Sequence, residues 1–288
     1  MTDKTEKLGV VGAGTMGAGI AQVAASHGHN VVLYDVQAQF AQRGMERIRQ
    51  GLERAVKKSR LTPQEMDTTL SHLWTTTDLS DLHTATIVIE AVPEDLALKR
   101  DIFRALDHLC CAETILCSNT SSLSIAALAG ATERADRVAG LHFFNPAPVM
   151  PLIEVVRADN TSDETIGRLI DLARRWGKTP VVVKDTPGFI VNRVARPFYG
   201  EALRLLDHGV ASVEAIDRIV RAAGFKLGPF ELLDLIGLDV NFAVTQSIYN
   251  AFFQEPRFKP HPIQQRMVEA RRLGRKTGRG FYDYPAEK

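Results

Sequence analysis

The chain has 288 residues, 45% hydrophobic and 24% charged, which fits a soluble globular protein of one large or two ordinary domains and excludes collagen-like and disordered classes. With 35 basic residues against 34 acidic ones, there is no strong electrostatic case for binding nucleic acid or a membrane surface. No apolar stretch approaches the length of a membrane-spanning helix.

The first two thirds alternate strand-like and helix-like segments. Leu8–Val11 is short and apolar and runs into a glycine cluster. The segment 14–27 follows with Met16, Ile20, Val23 and Ala24 at helical spacing, and Gly28 as a stop. Val31–Tyr34 is the next apolar run, and a charge-rich helix is expected over 37–58. Thr62 caps a short helix, with Pro63 at its start and Glu65 three residues on. Strands are then expected at 86–89, 114–117, 138–143, 152–156 and 180–183, with helices at 96–109 and from 161 to about 177. Buried strands joined by helices give an α/β fold with a mostly parallel, Rossmann-like sheet covered on both faces.

After Lys184 the strand signals stop. Helices are expected at 188–206, bent at Pro197, then at 212–223, 230–236, 239–253 and 263–273. This places a domain boundary near Asp185-Thr186-Pro187, with a Rossmann-like domain over 1–185 and an all-helical one over 186–288. Apolar faces on helices 188–206 and 239–253 leave surface for a partner subunit.

Three cysteines, Cys110, Cys111 and Cys117, sit in one short stretch. That pattern sets up neither a disulfide framework nor a metal site and fits a reducing compartment. The polar N-terminus has no signal-peptide pattern, so a cytoplasmic location is expected.

The glycines fall as Gly12-x-Gly14-x-x-Gly17 between a strand and a helix, with Thr15 and Met16 opening that helix. A bare match is weak; the strand and helix around it raise its weight. Gly12 permits the tight turn, Gly14 lets the backbone approach a pyrophosphate, and Gly17 allows close helix–sheet contact. Asp35, 23 residues after Gly12, ends the second strand where a carboxylate accepts hydrogen bonds from the adenosine ribose. Its charge would repel a 2′-phosphate, so NAD is preferred to NADP. An Asp35 that only caps a loop remains the bland alternative.

His27, His29, His72, His83 and His108 lie at helix ends or in loops and read as solvated or structural. His142 instead ends the apolar run Val138-Ala139-Gly140-Leu141, where functional side chains of open sheets gather. A core role and a general-base role both fit a lone histidine there. Glu154, inside Pro151-Leu152-Ile153-Glu154-Val155-Val156, is costly to bury unless paired, and His142 is an economical partner. Basic stretches at 57–60 and 271–279 are either solvated helix ends or loops, or a surface for a polyanionic substrate.

Several longer segments carry a resemblance: Ser118-Asn119-Thr120-Ser121-Ser122, the run Gly140-Leu141-His142-Phe143-Phe144-Asn145-Pro146 continuing to Met150, Pro187-Gly188-Phe189-Ile190-Val191-Asn192-Arg193, Gly228-Pro229-Phe230-Glu231-Leu232 and Gly278-Arg279-Gly280-Phe281-Tyr282. In this order and over nearly the full length the chain resembles the L-3-hydroxyacyl-CoA dehydrogenase family. The resemblance implies an NAD-dependent enzyme acting at C3 of an acyl-CoA, with His142 as the general acid/base and Glu154 orienting it. It implies that Ser121 and Asn192 hydrogen-bond the substrate oxygen, with Asn145 a further polar group near the pair. It places Glu94, Lys99 and Asn119 at the nicotinamide end of the cofactor. It also implies a homodimer through the helical domain and CoA phosphates held by basic residues of the first domain, with Arg54 and Lys58 as candidates. No metal site, nucleic-acid partner or membrane partner is implied.

Lys226 departs from the family, where proline is common. The segments 239–245 and 247–252 are similar to 3-hydroxyadipyl-CoA dehydrogenases, whose substrate ends in a carboxylate, and Lys226 or an arginine would suit that group. The short-chain substrate, such as 3-hydroxybutyryl-CoA, is the broader expectation. β-Hydroxyacid dehydrogenases share the glycine turn, but they use a lysine on the interdomain helix where this chain has Asn192 and Arg193. A non-catalytic nucleotide-binding protein on the same fold is the other alternative.

Overall fold

A computed structural model describes residues 6–284. The chain forms two compact units that part between Asp185 and Thr186. The first contains β1 (Lys7–Val11), α1 (Thr15–Ser26), β2 (Asn30–Tyr34), α2 (Ala38–Lys57), α3 (Pro63–Ser71), β3 (Leu73–Thr76), β4 (Ile87–Glu90), α4 (Leu96–Leu109), β5 (Ile115–Ser118), α5 (Ile125–Ala129), β6 (Val138–Phe143), β7 (Leu152–Arg157), α6 (Asp163–Arg175) and β8 (Thr179–Lys184).

The eight strands make one sheet in the order β3-β2-β1-β4-β5-β6-β7-β8. Every neighbouring pair is parallel except β6–β7. The order reverses between β1 and β4, and ligands of open α/β sheets bind outside the strand ends at such a point. The carboxyl ends of β1, β2, β4, β5 and β6 therefore present Gly12, Asp35, Ala91, Asn119 and Phe144 along one edge. Strand interiors such as Val10, Val31, Ile89, Ile115 and Leu141 are fully buried, as a sheet covered on both faces requires.

The second unit contains α7 (Val191–Asp207), α8 (Val213–Ala222), α9 (Pro229–Ile236), α10 (Leu238–Ala251) and α11 (Pro262–Glu269) around a core that includes Leu203, Phe230 and Leu233. Two buried aspartates fasten its C-terminal segment. Asp234 accepts from Phe281 N and Tyr282 N, both at 2.9 Å, and from the Tyr284 hydroxyl at 3.0 Å. Asp217 accepts from Phe230 N, Glu231 N and the Tyr282 hydroxyl. Gly280 is obligatory there, since a Cβ would stand 2.0 Å from Asp234 Oδ1. The segments around 228–232 and 278–282, prominent in the resemblance, thus do structural work.

Four elements differ from expectation. β3 is an additional strand; it is a partly exposed edge strand rich in threonine, with little apolar periodicity to announce it. α5 is additional too, five residues long and capped by Ser124 on Ala127 N. α7 begins at Val191 rather than 188, because Gly188 (φ 74°) and Phe189 (φ 50°) take left-handed conformations. A Cβ at Gly188 would also meet Ile248 Cδ1 at 2.7 Å. α11 stops at Glu269 rather than 273, with Arg271 at φ 55° beyond its end. α7 continues through Pro197.

Candidate active site

The antiparallel register of β6 and β7 sets His142 directly opposite Glu154. His142 Nδ1 lies 2.7 Å from Glu154 Oε2, with the residues 6% and 1% exposed. A carboxylate oxygen accepts, so this contact suits the tautomer that carries the ring proton on Nδ1. Phe144 packs its ring 4.5 Å from the imidazole. Phe143 N donates to Asn119 Oδ1 at 2.9 Å, tying the end of β6 to the turn after β5.

That turn is bound in its own network. Glu94 Oε1 accepts from the Thr120 hydroxyl, from Ser121 N and Oγ at 3.1 and 3.5 Å, and from the Ser122 hydroxyl at 3.3 Å. Lys99 Nζ is 2.6 Å from Glu90 Oε1 and 3.5 Å from Glu94 Oε2, and it also donates to Val92 O. Glu90 takes Val92 N on Oε1 and the Ser118 hydroxyl on Oε2, both at 2.7 Å. Lys99 and Glu94 thus lock the loops after β4 and β5 together. Glu90 was not singled out from sequence, although a carboxylate ending the apolar run Ile87–Glu90 is the same signal that exposed Glu154.

The glycine turn fits a dinucleotide pyrophosphate. A Cβ at Gly12 would sit 2.8 Å from Ala91 O and one at Gly17 1.8 Å from Gly12 O, whereas Gly14 faces open space. The N-terminus of α1 has no side-chain cap, so its N–H groups suit an anion. Asp35 Oδ2 accepts Ala13 N at 2.8 Å, which steadies the carboxylate and leaves Oδ1 for a ribose.

Arg54 and Lys58 line a pocket of about 660 Å³ that α1 and α2 form with the 145–149 loop. Arg47, Arg60 and Lys178 join them, and no carboxylate among the described residues lines it. Thr15 and Asn145 are on its wall. Lys178, missed in the sequence, holds the loop by donating to Ala147 O at 2.8 Å and Met150 O at 2.9 Å; burial lowers its pKa.

Asn192 belongs to the second unit, in the first turn of α7. Arg196, one turn later, donates from Nη2 to Asn192 Oδ1 at 3.4 Å and from Nε to Asn192 O at 3.3 Å. Lys226 is exposed. The three cysteines are unpaired, and burial pushes the Cys110 thiol up to about 11, far from a reactive thiolate. No group of residues able to hold a metal occurs, and no helix is long and apolar enough to cross a membrane, among the described residues.

A glycine turn at a sheet switch point, beside a carboxylate-bound histidine at a strand end, defines a nicotinamide-dependent dehydrogenase. Family models agree: residues 7–186 match the NAD-binding domain, and 188–284 the C-terminal domain, of 3-hydroxyacyl-CoA dehydrogenase, and the chain belongs to that family. It is 50% identical over all of its length to a 3-hydroxyadipyl-CoA dehydrogenase of Escherichia coli K12, of which it spans 61%. It is 42% identical to the 3-hydroxybutyryl-CoA dehydrogenase of Clostridioides difficile, covering 96% of this chain and 99% of that one. The crystal structure of (S)-3-hydroxybutyryl-CoA dehydrogenase from Ralstonia eutropha superposes with a TM-score of 0.92 at 42% identity, over 98% and 99% of the two chains.

Proposed function

We propose that the chain interconverts a short L-3-hydroxyacyl-CoA, such as 3-hydroxybutyryl-CoA, and the 3-oxoacyl-CoA, and that His142 moves the proton. The His142–Glu154 contact carries this reading. In oxidation Nε2 takes the 3-hydroxyl proton, and the C3–O bond becomes a carbonyl as hydride leaves C3. Bound NAD supplies the hydride acceptor. In reduction the imidazolium returns the proton to the 3-oxo oxygen. Glu154 stabilises the imidazolium and keeps the ring in one tautomer. Ser121 and Asn192 donate to the oxygen on which charge develops, and Asn145 is a further polar group near the pair. Gly12, Gly14, Thr15, Met16, Gly17 and Asp35 hold the dinucleotide, while Glu94, Lys99 and Asn119 shape the loops at its nicotinamide end.

CoA phosphates go to the cationic pocket of Arg54 and Lys58, whose lining holds no carboxylate among the described residues and suits a polyanion. A homodimer through α7 and α10 and a cytoplasmic location complete the reading. Exposed Val194 and Val240 on those helices supply apolar surface for the dimer.

The test is NADH oxidation with acetoacetyl-CoA by wild type and His142→Gln, alongside NADH affinity. Turnover that the variant loses with NADH binding kept supports the reading; full activity in His142→Gln overturns it. A second reading, an acyl chain ending in a carboxylate, is favoured by one observation: Arg196 is a buried cation without a carboxylate partner among the described residues.

A further inference from the structure

Glu90 is fully buried at the end of β4, and its carboxylate reaches three separate pieces of the first unit. Oε1 accepts from Val92 N at 2.7 Å and from Lys99 Nζ at 2.6 Å, and Oε2 accepts from the Ser118 hydroxyl at 2.7 Å. Ser118 Oγ accepts in turn from Thr120 N at 3.1 Å. One carboxylate therefore fixes the loop after β4, the first turn of α4 and the turn after β5. The backbone adds to this, since Glu90 O accepts Asn119 N at 2.8 Å and Ala91 N donates to Val11 O at 2.7 Å.

A buried ion pair gives little stability over apolar packing of the same volume, so its use calls for a positional reason. The strand order supplies one. Asp35 follows β2, the glycine turn follows β1, and the order reverses between β1 and β4. A dinucleotide with its adenosine ribose at Asp35 and its pyrophosphate at the turn continues across that point to the ends of β4 and β5, toward β6 and His142. The loops that Glu90 ties together are the ones found there. They also meet the turn closely, as a Cβ at Gly12 would stand 2.8 Å from Ala91 O.

Glu90 also decides what Glu94 does. Lys99 Nζ lies 2.6 Å from Glu90 and 3.5 Å from Glu94, and Glu94 has 39% of its side chain exposed where Glu90 has none. Held by the inner carboxylate, the ammonium leaves Glu94 Oε1 to the Thr120 hydroxyl and Ser121 N. Without the charge on Glu90, Glu94 is the one remaining carboxylate within 4.0 Å of Lys99 among the described residues. A buried ammonium then draws it inward, away from the turn after β5.

We infer that Glu90 is a positioning residue for the nicotinamide half of the cofactor. Acting through Lys99, Val92 and Ser118, it holds the loops after β4 and β5 in the arrangement that receives that half, and the adenosine half does not depend on it. The inference rests on NAD binding and not on the reaction proposed at C3.

The experiment measures the dissociation constant of NADH from its fluorescence, in wild type, Glu90→Gln and Ser118→Ala. ADP, which has the adenosine and the pyrophosphate but no nicotinamide nucleoside, is measured by its displacement of NADH, so that binding elsewhere does not count. Wild type is expected to hold NADH more tightly than ADP. Glu90→Gln, which keeps the shape and loses the charge, should weaken NADH about tenfold and ADP less than about twofold. Ser118→Ala leaves the ion pair intact and removes one strut, so NADH should weaken about threefold with ADP again unmoved. Should Glu90→Gln not fold, Ser118→Ala decides alone. Equal losses for NADH and ADP would make Glu90 a structural residue only and overturn the inference. Unchanged NADH affinity, or a wild type that holds NADH no better than ADP, overturns it as well. A wild type that turns over no acetoacetyl-CoA sinks the reaction at C3, and the two affinities still judge Glu90.

Discussion

His142 and Glu154 face each other across the one antiparallel pair of an otherwise parallel sheet, Nδ1 to Oε2 at 2.7 Å. Rigid strands on both sides fix the ring without help from a loop, and burial strengthens the charge-assisted bond. In Glu154→Gln the amide either accepts or donates, so the ring tautomer is no longer enforced. The expected result is a fall in kcat of about 10²-fold or more, with KM for NADH nearly unchanged. Steady-state kinetics with acetoacetyl-CoA check it, and a kcat within threefold of wild type would refute the orienting role.

The Lys99–Glu90 pair is among the most buried ion pairs of the first unit, at 1% and 0% side-chain exposure. Lys99→Met leaves the Glu90 carboxylate without its cation while Ser118 and Val92 still bond it. Removing one partner of a buried pair costs roughly 3–5 kcal/mol. Urea unfolding should show that loss, and adding Glu90→Gln should recover part of it. A double variant as unstable as the sum of the two single ones would mean the residues do not interact.

Most of the sheet was legible because its signals are local, whereas the pairing of His142 with Glu154 was carried by the family resemblance. Apolar runs marked β1, β4, β6 and β7, and the capping box at Thr62 and Glu65 is present as read. β3 was not legible, since an edge strand needs neither full burial nor alternation. Glu90 was overlooked although its signal matched that of Glu154. The partnership of Arg196 with Asn241, 45 residues apart, was out of reach, because helix packing creates it and no spacing records it. Lys178 was hidden for the same reason, as its partners are backbone carbonyls, which any residue supplies.

Arg54 and Lys58 share a pocket wall with three more cations and, among the described residues, no acid. If CoA phosphates bind there, Arg54→Ala/Lys58→Ala should raise KM for acetoacetyl-CoA roughly tenfold, about 1.4 kcal/mol, and leave KM for NADH within about twofold. Wild-type KM for the CoA substrate should climb with salt, and the double variant's should climb less, since screening acts on the charges removed. Equal salt slopes in the two proteins would place the phosphates elsewhere.

The tyrosines that fasten the C-terminal segment make its stability fail at high pH. Burial and the Asp217 carboxylate raise the Tyr282 pKa above the ordinary phenol value, and burial and Asp234 push Tyr284 up to about 12. Both groups hold their protons in the folded unit at a pH where the unfolded chain has released them. Between the unfolded pKa of about 10 and the raised folded values the native state binds more protons, so stability falls as pH rises. Below pH 10 the contribution is fully present. Thermal denaturation from pH 8 to 11.5 should show a flat Tm and then a decline beginning near pH 10. Tyr282→Phe removes the hydroxyl that donates to Asp217, so Tm at pH 8 should drop and the alkaline decline should become shallower. A decline as steep in Tyr282→Phe/Tyr284→Phe as in wild type would show that other groups drive the alkaline loss.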